Sequence, residues 1–202
     1  MTIRVLLAED QAMVRGALSA LLSLEEDVEI VAEVSRGDSV VPAALDALPD
    51  VALLDIEMPG GDGLSAAAAL KESFPSCHVL ILTTFGRAGY LRRAMQSGAK
   101  GFLLKDAPAS ELASAIHRVM NGEQVVDPGL AAAALSEGEN PLTEREREVL
   151  SASADGATIE EVARVLYLSE GTVRNYLSTA IKKLDTRNRV EAARLAEWKG
   201  WL

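Results

Sequence analysis

The sequence predicts an α/β domain with a parallel β-sheet, followed by a smaller domain made only of helices. The first part of the chain alternates five short runs rich in Val, Ile and Leu with five segments whose apolar residues recur at helical spacing. From Thr143 onward only the helical spacing remains. A chain of 202 residues is long enough for two small domains, so we expect one domain of each class.

The alternating region predicts a doubly wound fold. The expected strands lie at 3–8, 28–34, 51–55, 78–84 and 101–104, and the expected helices at 11–24, 38–48, 62–73, 88–97 and 108–121. Strict strand–helix alternation gives a parallel sheet with helices on both faces. Five such units fit a flavodoxin-like (βα)5 domain, in which function lies at the carboxyl ends of the strands. The apolar stripe of the first helix should consist of Met13, Ala17, Leu18, Leu21 and Leu22.

The alternation stops after residue 121. Residues 122–140 mix turn residues with a short run of small residues, and we interpret them as a linker. The alternative is a surface extension of the first domain. The predicted organisation is therefore a first domain at 1–121, the linker, and a second domain at 141–202.

The second domain begins with two helix-start signals. Thr143 and Glu146 form a capping box, and Thr158 and Glu161 repeat it. Ser169 should open a third helix that ends near residue 184, and a fourth should run from 188 to about 198. Short capped helices separated by a few residues, with the third helix basic, predict an all-α four-helix domain containing a helix-turn-helix.

Composition excludes several classes of protein. Hydrophobic residues make up 49% and charged residues 25%, which is a globular composition. We expect neither a membrane span, since a long apolar run is missing, nor a cleaved signal at the amino terminus. The single Cys77 excludes an intrachain disulfide, and with only two histidines there is no Cys/His zinc set. These features predict a cytoplasmic protein.

The charge distribution points to a local nucleic-acid-binding surface. Net charge is −10, which argues against a protein that is basic all over, but residues 169–194 hold six basic against three acidic residues. Helical spacing should bury Val173, Leu177, Ile181 and Leu184 and leave the opposite face to DNA. Arg174 and Asn175 suit base edges. The full predicted contact set is Thr172, Arg174, Asn175, Ser178, Thr179, Lys182 and Lys183. The alternative is an ordinary solvated helix face.

Three carboxylates should converge in the first domain. Glu9 and Asp10 end the first predicted strand and Asp55 ends the third, and these strands are neighbours in a doubly wound sheet. Packed carboxylates repel one another unless a cation compensates them, and Mg²⁺ or Mn²⁺ suits such oxygen ligands. The backbone carbonyl of Glu57 could complete the ligand set. Each acid alone could instead be a solvated strand end or, for Asp10, a helix cap.

Two more polar residues end the following predicted strands. Thr83 supplies a hydroxyl and Lys105 an ammonium group. A carboxylate nucleophile, a metal, a hydroxyl donor and an ammonium group are the parts that phosphoryl transfer to an aspartate requires. The sequence therefore predicts that Asp55 is a phosphoacceptor, at a mouth left open by the Pro-Gly-Gly turn that follows it.

Both domains resemble a two-component response regulator. Glu9-Asp10, Asp55, Met58-Pro59, Thr83-Thr84 and Lys105 match the receiver pattern. The segments LTEREREVL and LSEGTVRNYLSTAIKKL resemble the LuxR-type helix-turn-helix. Apart from the linker, the chain is similar to the NarL/FixJ subfamily, and within it to the regulators paired with membrane thermosensor kinases that control fatty-acid desaturase.

The resemblance implies partners and roles. Asp55 would accept phosphate from a sensor histidine kinase, and phosphorylation would promote a homodimer through the first and fifth helices and change binding to a double-stranded DNA operator. Phe102 would be the aromatic switch residue that turns inward as Thr83 moves. The sequence departs from the family pattern at Phe102, where Tyr is commoner, at Lys105-Asp106, where Lys-Pro is common, and at Tyr176, where His is commoner.

Four questions remain open at the level of sequence. Met13, Leu21, Leu112, Ile116 and Val119 could form the dimer surface or could be sheet-facing core. An unphosphorylated receiver could occlude the recognition helix. The protein could instead be a phosphatase with Asp55 as nucleophile, although such a site requires a second Asp two residues later, where this sequence has Glu57. It could also be a DNA-binding protein with a vestigial pocket.

Overall fold

The structure is a computed structural model that describes residues 2–84, 86–136, 140–154 and 156–202. The chain forms two compact units, one built mainly from residues up to 132 and the other mainly from residues after it. In the described part of the chain, no helix is long and apolar enough to span a membrane.

The first unit contains a six-stranded parallel sheet. Its strands in chain order are β1 (Ile3–Ala8), β2 (Val28–Val34), β3 (Val51–Leu54), β4 (His78–Thr83), β5 (Gly101–Leu104) and β6 (Val125–Val126). They are arranged in the order β2-β1-β3-β4-β5-β6. Every residue of β3 is buried, as expected for a central strand covered on both faces. The predicted doubly wound α/β fold is confirmed.

Helices connect the strands of this unit. They are α1 (Ala12–Leu22), α2 (Val40–Ala47), α3 (Gly63–Ser73), α4 (Ala88–Gln96) and α5 (Ala109–Met120), with a 3₁₀ turn, Gly37–Ser39, before α2. The side chain of Asp62 caps α3 by accepting a hydrogen bond from the Ser65 backbone N–H at 2.6 Å. Each predicted helix is present.

The sixth strand corrects the predicted linker. Val125 and Val126 lie in the 122–140 segment, yet they pair in parallel with Gly101 and Phe102. Helix α6 (Pro128–Ser136) follows. The first domain thus extends past residue 121, in agreement with the alternative of a domain extension for this part of the segment. Two residues are too few to show strand periodicity, so only the pairing reveals the strand.

The predicted stripe of α1 is only partly correct. Leu22 is buried and Leu18 packs against the core, but Met13 is 88% exposed, and Ala17 and Leu21 are also exposed. Apolar residues lie on most sides of this helix, so periodicity alone did not define the side that faces the sheet.

Helix α5 shows the opposite outcome. Leu112, Ile116 and Val119 belong to the buried core on one side of the sheet, together with Leu53 and Leu80. For these three residues of α5, the core alternative was right. Any surface that α5 offers to a partner must consist of its other residues.

Residues 144–198 of the second unit form four capped helices. They are α7 (Glu144–Ala152), α8 (Ile159–Val165), α9 (Glu170–Lys183) and α10 (Arg189–Trp198). Both capping boxes are present, and Ser169 and Asn188 cap α9 and α10 through their side chains. Their core includes Val149, Val173 and Ala192. The predicted all-α domain is confirmed.

Candidate functional site

The acidic site lies at the carboxyl ends of β1 and β3. Glu9 follows β1 and Asp55 follows β3, and the last residues of these strands pair side by side in the sheet. The backbone N–H of Asp55 donates to the Ala8 carbonyl at 2.9 Å. Carboxylate oxygens of Glu9, Asp10 and Asp55 lie within 4.8 Å of one another. The sheet therefore brings together the three acids predicted from the sequence.

Two of these acids are buried and one is exposed. Glu9 is 1% exposed and Asp55 is 6% exposed, whereas Asp10 faces solvent. A buried carboxylate is costly unless it is paired. Asp55 accepts a hydrogen bond from the Ile56 backbone N–H at 2.8 Å, and Glu9 accepts one from the Gln11 backbone N–H at 3.1 Å.

Lys105 compensates the two buried acids. Its Nζ lies 2.5 Å from Glu9 Oε2 and 2.9 Å from Asp55 Oδ2. Burial raises the pKa of Glu9, and the hydrogen bonds from Lys105 and Gln11 oppose this only in part. Burial by itself would lower the pKa of Lys105, but its bonds to the two carboxylates raise it. Lys105 therefore stays charged in the site.

The oxygen-rich donor set suits a hard divalent cation. The three carboxylates and one ammonium group carry a net formal charge of −2. Mg²⁺ and Mn²⁺ prefer carboxylate, carbonyl and water oxygens to nitrogen or sulfur ligands. Because Asp10 is exposed, the cluster is open to solvent on one side. Glu9, Asp10 and Asp55 could therefore hold such an ion.

The backbone after Asp55 turns sharply. Gly63 donates its N–H to the Ile56 carbonyl at 2.9 Å, and a Cβ at this position would collide with the carbonyl of Asp55. Gly60 and Gly61 have φ values of +78° and +132°, which side chains rarely tolerate. The glycines thus allow the chain to leave β3, pass Glu57 and enter α3 within a few residues.

Thr83 and Phe102 lie on the neighbouring strands β4 and β5. Both are buried, and Lys105 donates its backbone N–H to the Thr83 carbonyl at 2.8 Å. Phe102 pairs with Ile81 across the sheet. The peptide bond between Lys105 and Asp106 is trans. Thr83 and Lys105 thus lie at the carboxyl ends of the adjacent strands β4 and β5, as predicted.

Helix α9 separates its core and solvent faces as its sequence predicts. Val173, Leu177 and Leu184 are buried, and Ile181 is partly buried. The predicted contact residues are exposed, apart from Thr172, which is partly exposed: Arg174, Asn175, Ser178, Thr179, Lys182 and Lys183. The basic face is accessible within its own unit.

Some of the predicted contact residues already have partners. Arg174 pairs with Glu170 one turn earlier at 2.7 Å. The Thr179 hydroxyl donates to the Asn175 carbonyl at 2.9 Å, and the Thr172 hydroxyl lies 2.8 Å from that of Ser169. These local contacts on an exposed surface are weak, so Arg174 can leave Glu170 at little cost.

Lys183 is held more firmly. Its Nζ lies 2.7 Å from Glu146 Oε2, and Glu146 is 5% exposed. The same carboxylate oxygen accepts the Thr143 backbone N–H in the capping box. Burial by itself would raise the pKa of Glu146, but these bonds lower it. The capping-box pattern predicted the bond to Thr143 but contained no signal for the long-range bond to Lys183.

Comparison with known proteins identifies the family. Residues 5–117 match the response regulator receiver domain, and residues 140–196 match the bacterial regulatory proteins of the luxR family. The chain is a LuxR-type response regulator. Its resemblance to two-component transcriptional regulators of the NarL/FixJ type is thereby confirmed. This family membership favours the regulator over the competing phosphatase prediction.

Full-length relatives support this assignment. The transcriptional regulatory protein DesR of Bacillus subtilis is 48% identical over 199 residues, which cover 98% of this response regulator and 98% of DesR. YvfU, an uncharacterized transcriptional regulatory protein of the same bacterium, is 46% identical over 99% of this chain and 100% of its own. The crystal structure of ChrA, a response regulator of a heme-sensing two-component system, is 34% identical with a TM-score of 0.59 and covers 98% of both chains.

Proposed function

We propose that Asp55 accepts a phosphoryl group from a sensor histidine kinase and that this modification controls DNA binding by α9. The observation that carries the proposal is the bridge that Lys105 makes between Glu9 and Asp55 inside an acidic cluster. A buried carboxylate at the solvent-accessible carboxyl end of a strand can receive a phosphoryl group. A fixed ammonium group beside it can stabilise the negative charge of that phosphoryl group.

In the proposed reaction, a carboxylate oxygen of Asp55 attacks the phosphorus atom of a phosphohistidine. The new O–P bond forms as the N–P bond breaks, and the electron pair of that bond returns to the imidazole ring, which leaves in its neutral form because its other ring nitrogen carries a proton. Lys105 would then pair with a phosphoryl oxygen, and the Thr83 hydroxyl would donate a hydrogen bond to another. Phe102 would follow the movement of Thr83 as the switch residue.

The proposed metal ligands are the carboxylates of Glu9, Asp10 and Asp55 and the backbone carbonyl of Glu57. A bound Mg²⁺ or Mn²⁺ would neutralise charge on the phosphoryl oxygens during transfer. Lys105 forms ion pairs with both Glu9 and Asp55 and so holds the two carboxylates in place. A metal could bind beside them without a rearrangement of either side chain. The protein is proposed as a phosphoacceptor with, at most, slow self-dephosphorylation.

The proposed readout is a homodimer that binds duplex DNA. Met13, Leu21 and Leu24 are exposed apolar residues on or directly after α1, and a second copy that covers them would gain hydrophobic free energy. Two linked copies of α9 would bind two half-sites with a high effective concentration. Arg174 and Asn175 are proposed to contact bases. The other proposed contacts to phosphates or bases come from Thr172, Ser178, Thr179 and Lys182. Lys183 is proposed as a weaker phosphate contact.

The proposal is tested by incubating the full chain with acetyl phosphate and Mg²⁺. Peptide mass spectrometry should locate one base-labile, hydroxylamine-sensitive phosphoryl adduct at Asp55. The sedimentation coefficient of the protein and its affinity for duplex DNA should change when the adduct forms. The Asp55→Asn variant should lose the adduct, whereas Asp46→Asn, at an exposed position of α2, should keep it. An adduct elsewhere, or sustained turnover of phosphoester substrates, would contradict the proposal.

A further inference from the structure

The loop after Asp55 is joined to the segment that follows β2. Gly37 donates its backbone N–H to the Pro59 carbonyl at 3.0 Å. A Cβ at Gly37 would collide with the Gly61 carbonyl group, so only glycine allows this close approach of the two backbones. The 3₁₀ turn before α2 thus supports the loop that leads from β3 to α3.

An ion pair covers the same loop. Arg36 and Asp38 form a two-bond pair, with Nε–Oδ1 at 3.0 Å and Nη2–Oδ2 at 2.6 Å. Their hydrogen bonds raise the pKa of Arg36 and lower that of Asp38. A Cβ at Gly60 would lie 2.5 Å from both Arg36 Nη2 and Asp38 Oδ2. The paired side chains therefore lie directly against the backbone of Gly60.

These contacts matter because the two glycines of the loop give its backbone unusual conformational freedom. Gly60 and Gly61 both adopt positive φ, and glycine loses more conformational freedom on ordering than any other residue. On the α3 side, the loop is fixed by the Asp62 cap and by an ion pair between Asp62 and Arg93 at 3.6 Å. On the other side, the contacts to Pro59 and Gly60 come from the 36–38 segment.

We infer that Arg36 and Asp38 are positioning residues for the phosphoacceptor site: their ion pair restricts the Met58–Gly61 backbone and so fixes the Glu57 carbonyl for the metal. This inference rests on the proposed function, since it assumes a metal beside Asp55. Neither residue contacts Asp55. Their effect is on the geometry of the Met58–Gly61 loop, which begins three residues after Asp55.

The test measures Mg²⁺ affinity by isothermal titration calorimetry and the rate of phosphorylation by acetyl phosphate on the full chain. Arg36→Ala and Asp38→Ala should each weaken Mg²⁺ binding by about threefold to tenfold, because either change releases the same loop. The double variant should be no worse than either single variant, since both remove one interaction. The exchanged variant, with Arg36→Asp and Asp38→Arg together, should recover part of the loss.

The direction of the two single effects separates positioning from long-range electrostatics. If only charge mattered, loss of Arg36 would strengthen Mg²⁺ binding to the acidic cluster and loss of Asp38 would weaken it. The inference predicts that both weaken it. Opposite effects, or both variants within twofold of the unmodified protein, would overturn it.

A second ion pair of the same domain provides the control. Arg118 and Glu123 are paired at 2.8 Å with side chains 48% and 51% exposed, against 51% and 49% for Arg36 and Asp38. Arg118→Ala should leave Mg²⁺ affinity and the phosphorylation rate unchanged. If the unmodified chain binds Mg²⁺ and is phosphorylated while the Arg36 and Asp38 variants match it, the inference fails and the proposed function stands. If the unmodified chain is not phosphorylated, the proposed function itself fails.

Discussion

Lys105 Nζ lies 2.9 Å from Asp55 Oδ2, so the Lys105 ammonium group already contacts the proposed phosphoacceptor. The same group lies 2.5 Å from Glu9 Oε2. Lys105 thus compensates buried negative charge in the structure. Under the proposed function, it would also pair with a phosphoryl oxygen after phosphorylation of Asp55.

Replacement of Lys105 by Met should make the stability of the first domain depend on Mg²⁺. Without the ammonium group, Glu9 and Asp55 repel each other in a buried site. Removal of one partner of a buried ion pair typically lowers the free energy of unfolding by about 3–5 kcal/mol. A divalent cation would restore the compensation. Differential scanning calorimetry should therefore show a lower Tm than in the unmodified protein and a larger rise on addition of Mg²⁺.

The control for this prediction is Lys100→Met. Lys100 is exposed, precedes β5, and has no ion pair in the described part of the chain. Its replacement should change neither Tm nor the response to Mg²⁺ appreciably. An equal response to Mg²⁺ in the Lys105 variant and the unmodified protein would contradict the role of Lys105 as a counterion.

His117 and Asp27 should form a pH-dependent contact. His117 Nε2 lies 2.9 Å from Asp27 Oδ2, and Nδ1 lies 2.8 Å from the Ala113 carbonyl. Both ring nitrogens face acceptors, so the bond to Asp27 raises the pKa of His117 above 6.5 and lowers that of Asp27 below 3.8. At pH values between these two ordinary pKa values, the contact should make its full contribution to the stability of the fold. Its contribution is lost as pH rises through the raised pKa of His117, or falls through the lowered pKa of Asp27.

NMR titration of the His117 ring measures this effect. Asp27→Asn should lower the pKa of His117 toward its ordinary value, because the largest favourable interaction of the imidazolium is removed. Glu26→Gln, at the exposed position beside it, should have a much smaller effect. A pKa of His117 that is the same with and without the Asp27 carboxylate would rule out the contact in solution.

Adjacent lysines of α9 should differ in their contribution to DNA binding. Lys182 is exposed and has no ion pair in the described residues, whereas Lys183 is bound to the buried Glu146. Lys182→Ala should lower the salt dependence of duplex binding by about one phosphate contact. Lys183→Ala should lower it less, and should destabilise the second domain by about 1–2 kcal/mol through loss of the bond to Glu146.

Fluorescence anisotropy with a random-sequence duplex at several salt concentrations measures the first quantity, and urea unfolding measures the second. Each lysine variant serves as the control for the other, since both remove the same charge from neighbouring positions. Equal salt slopes for the two variants would show that DNA displaces Glu146 from Lys183.

Exposed apolar residues of α1 should support dimerisation without supporting the fold. Met13 is 88% exposed, so Met13→Asp should leave Tm nearly unchanged while it weakens the proposed phosphorylation-promoted dimer by about tenfold or more. Leu22→Ala, on the buried side of the same helix, should instead lower stability by about 2–5 kcal/mol. Sedimentation with and without acetyl phosphate distinguishes the two. An unchanged dimer in the Met13 variant would exclude this face of α1.

Local patterns were sufficient for most elements of the fold. The apolar runs that became β1 and β5 have the predicted bounds, and the capping boxes of α7 and α8 have the predicted bonds. Each depends on residues within a few positions of one another. The strand β6 was missed for the same reason, because its two residues have no local pattern and form a strand only by pairing with β5.

The sequence by itself determined the fold class, the helix starts and the set of acids, because backbone periodicity, caps and strand-end carboxylates are short-range properties. Only the tertiary structure decided that Met13 faces solvent, that Lys183 binds Glu146, and that the Arg36–Asp38 pair lies on Gly60. Those contacts join residues whose separation is fixed by the packing of whole elements, and packing depends on the complementarity of surfaces that no local pattern encodes.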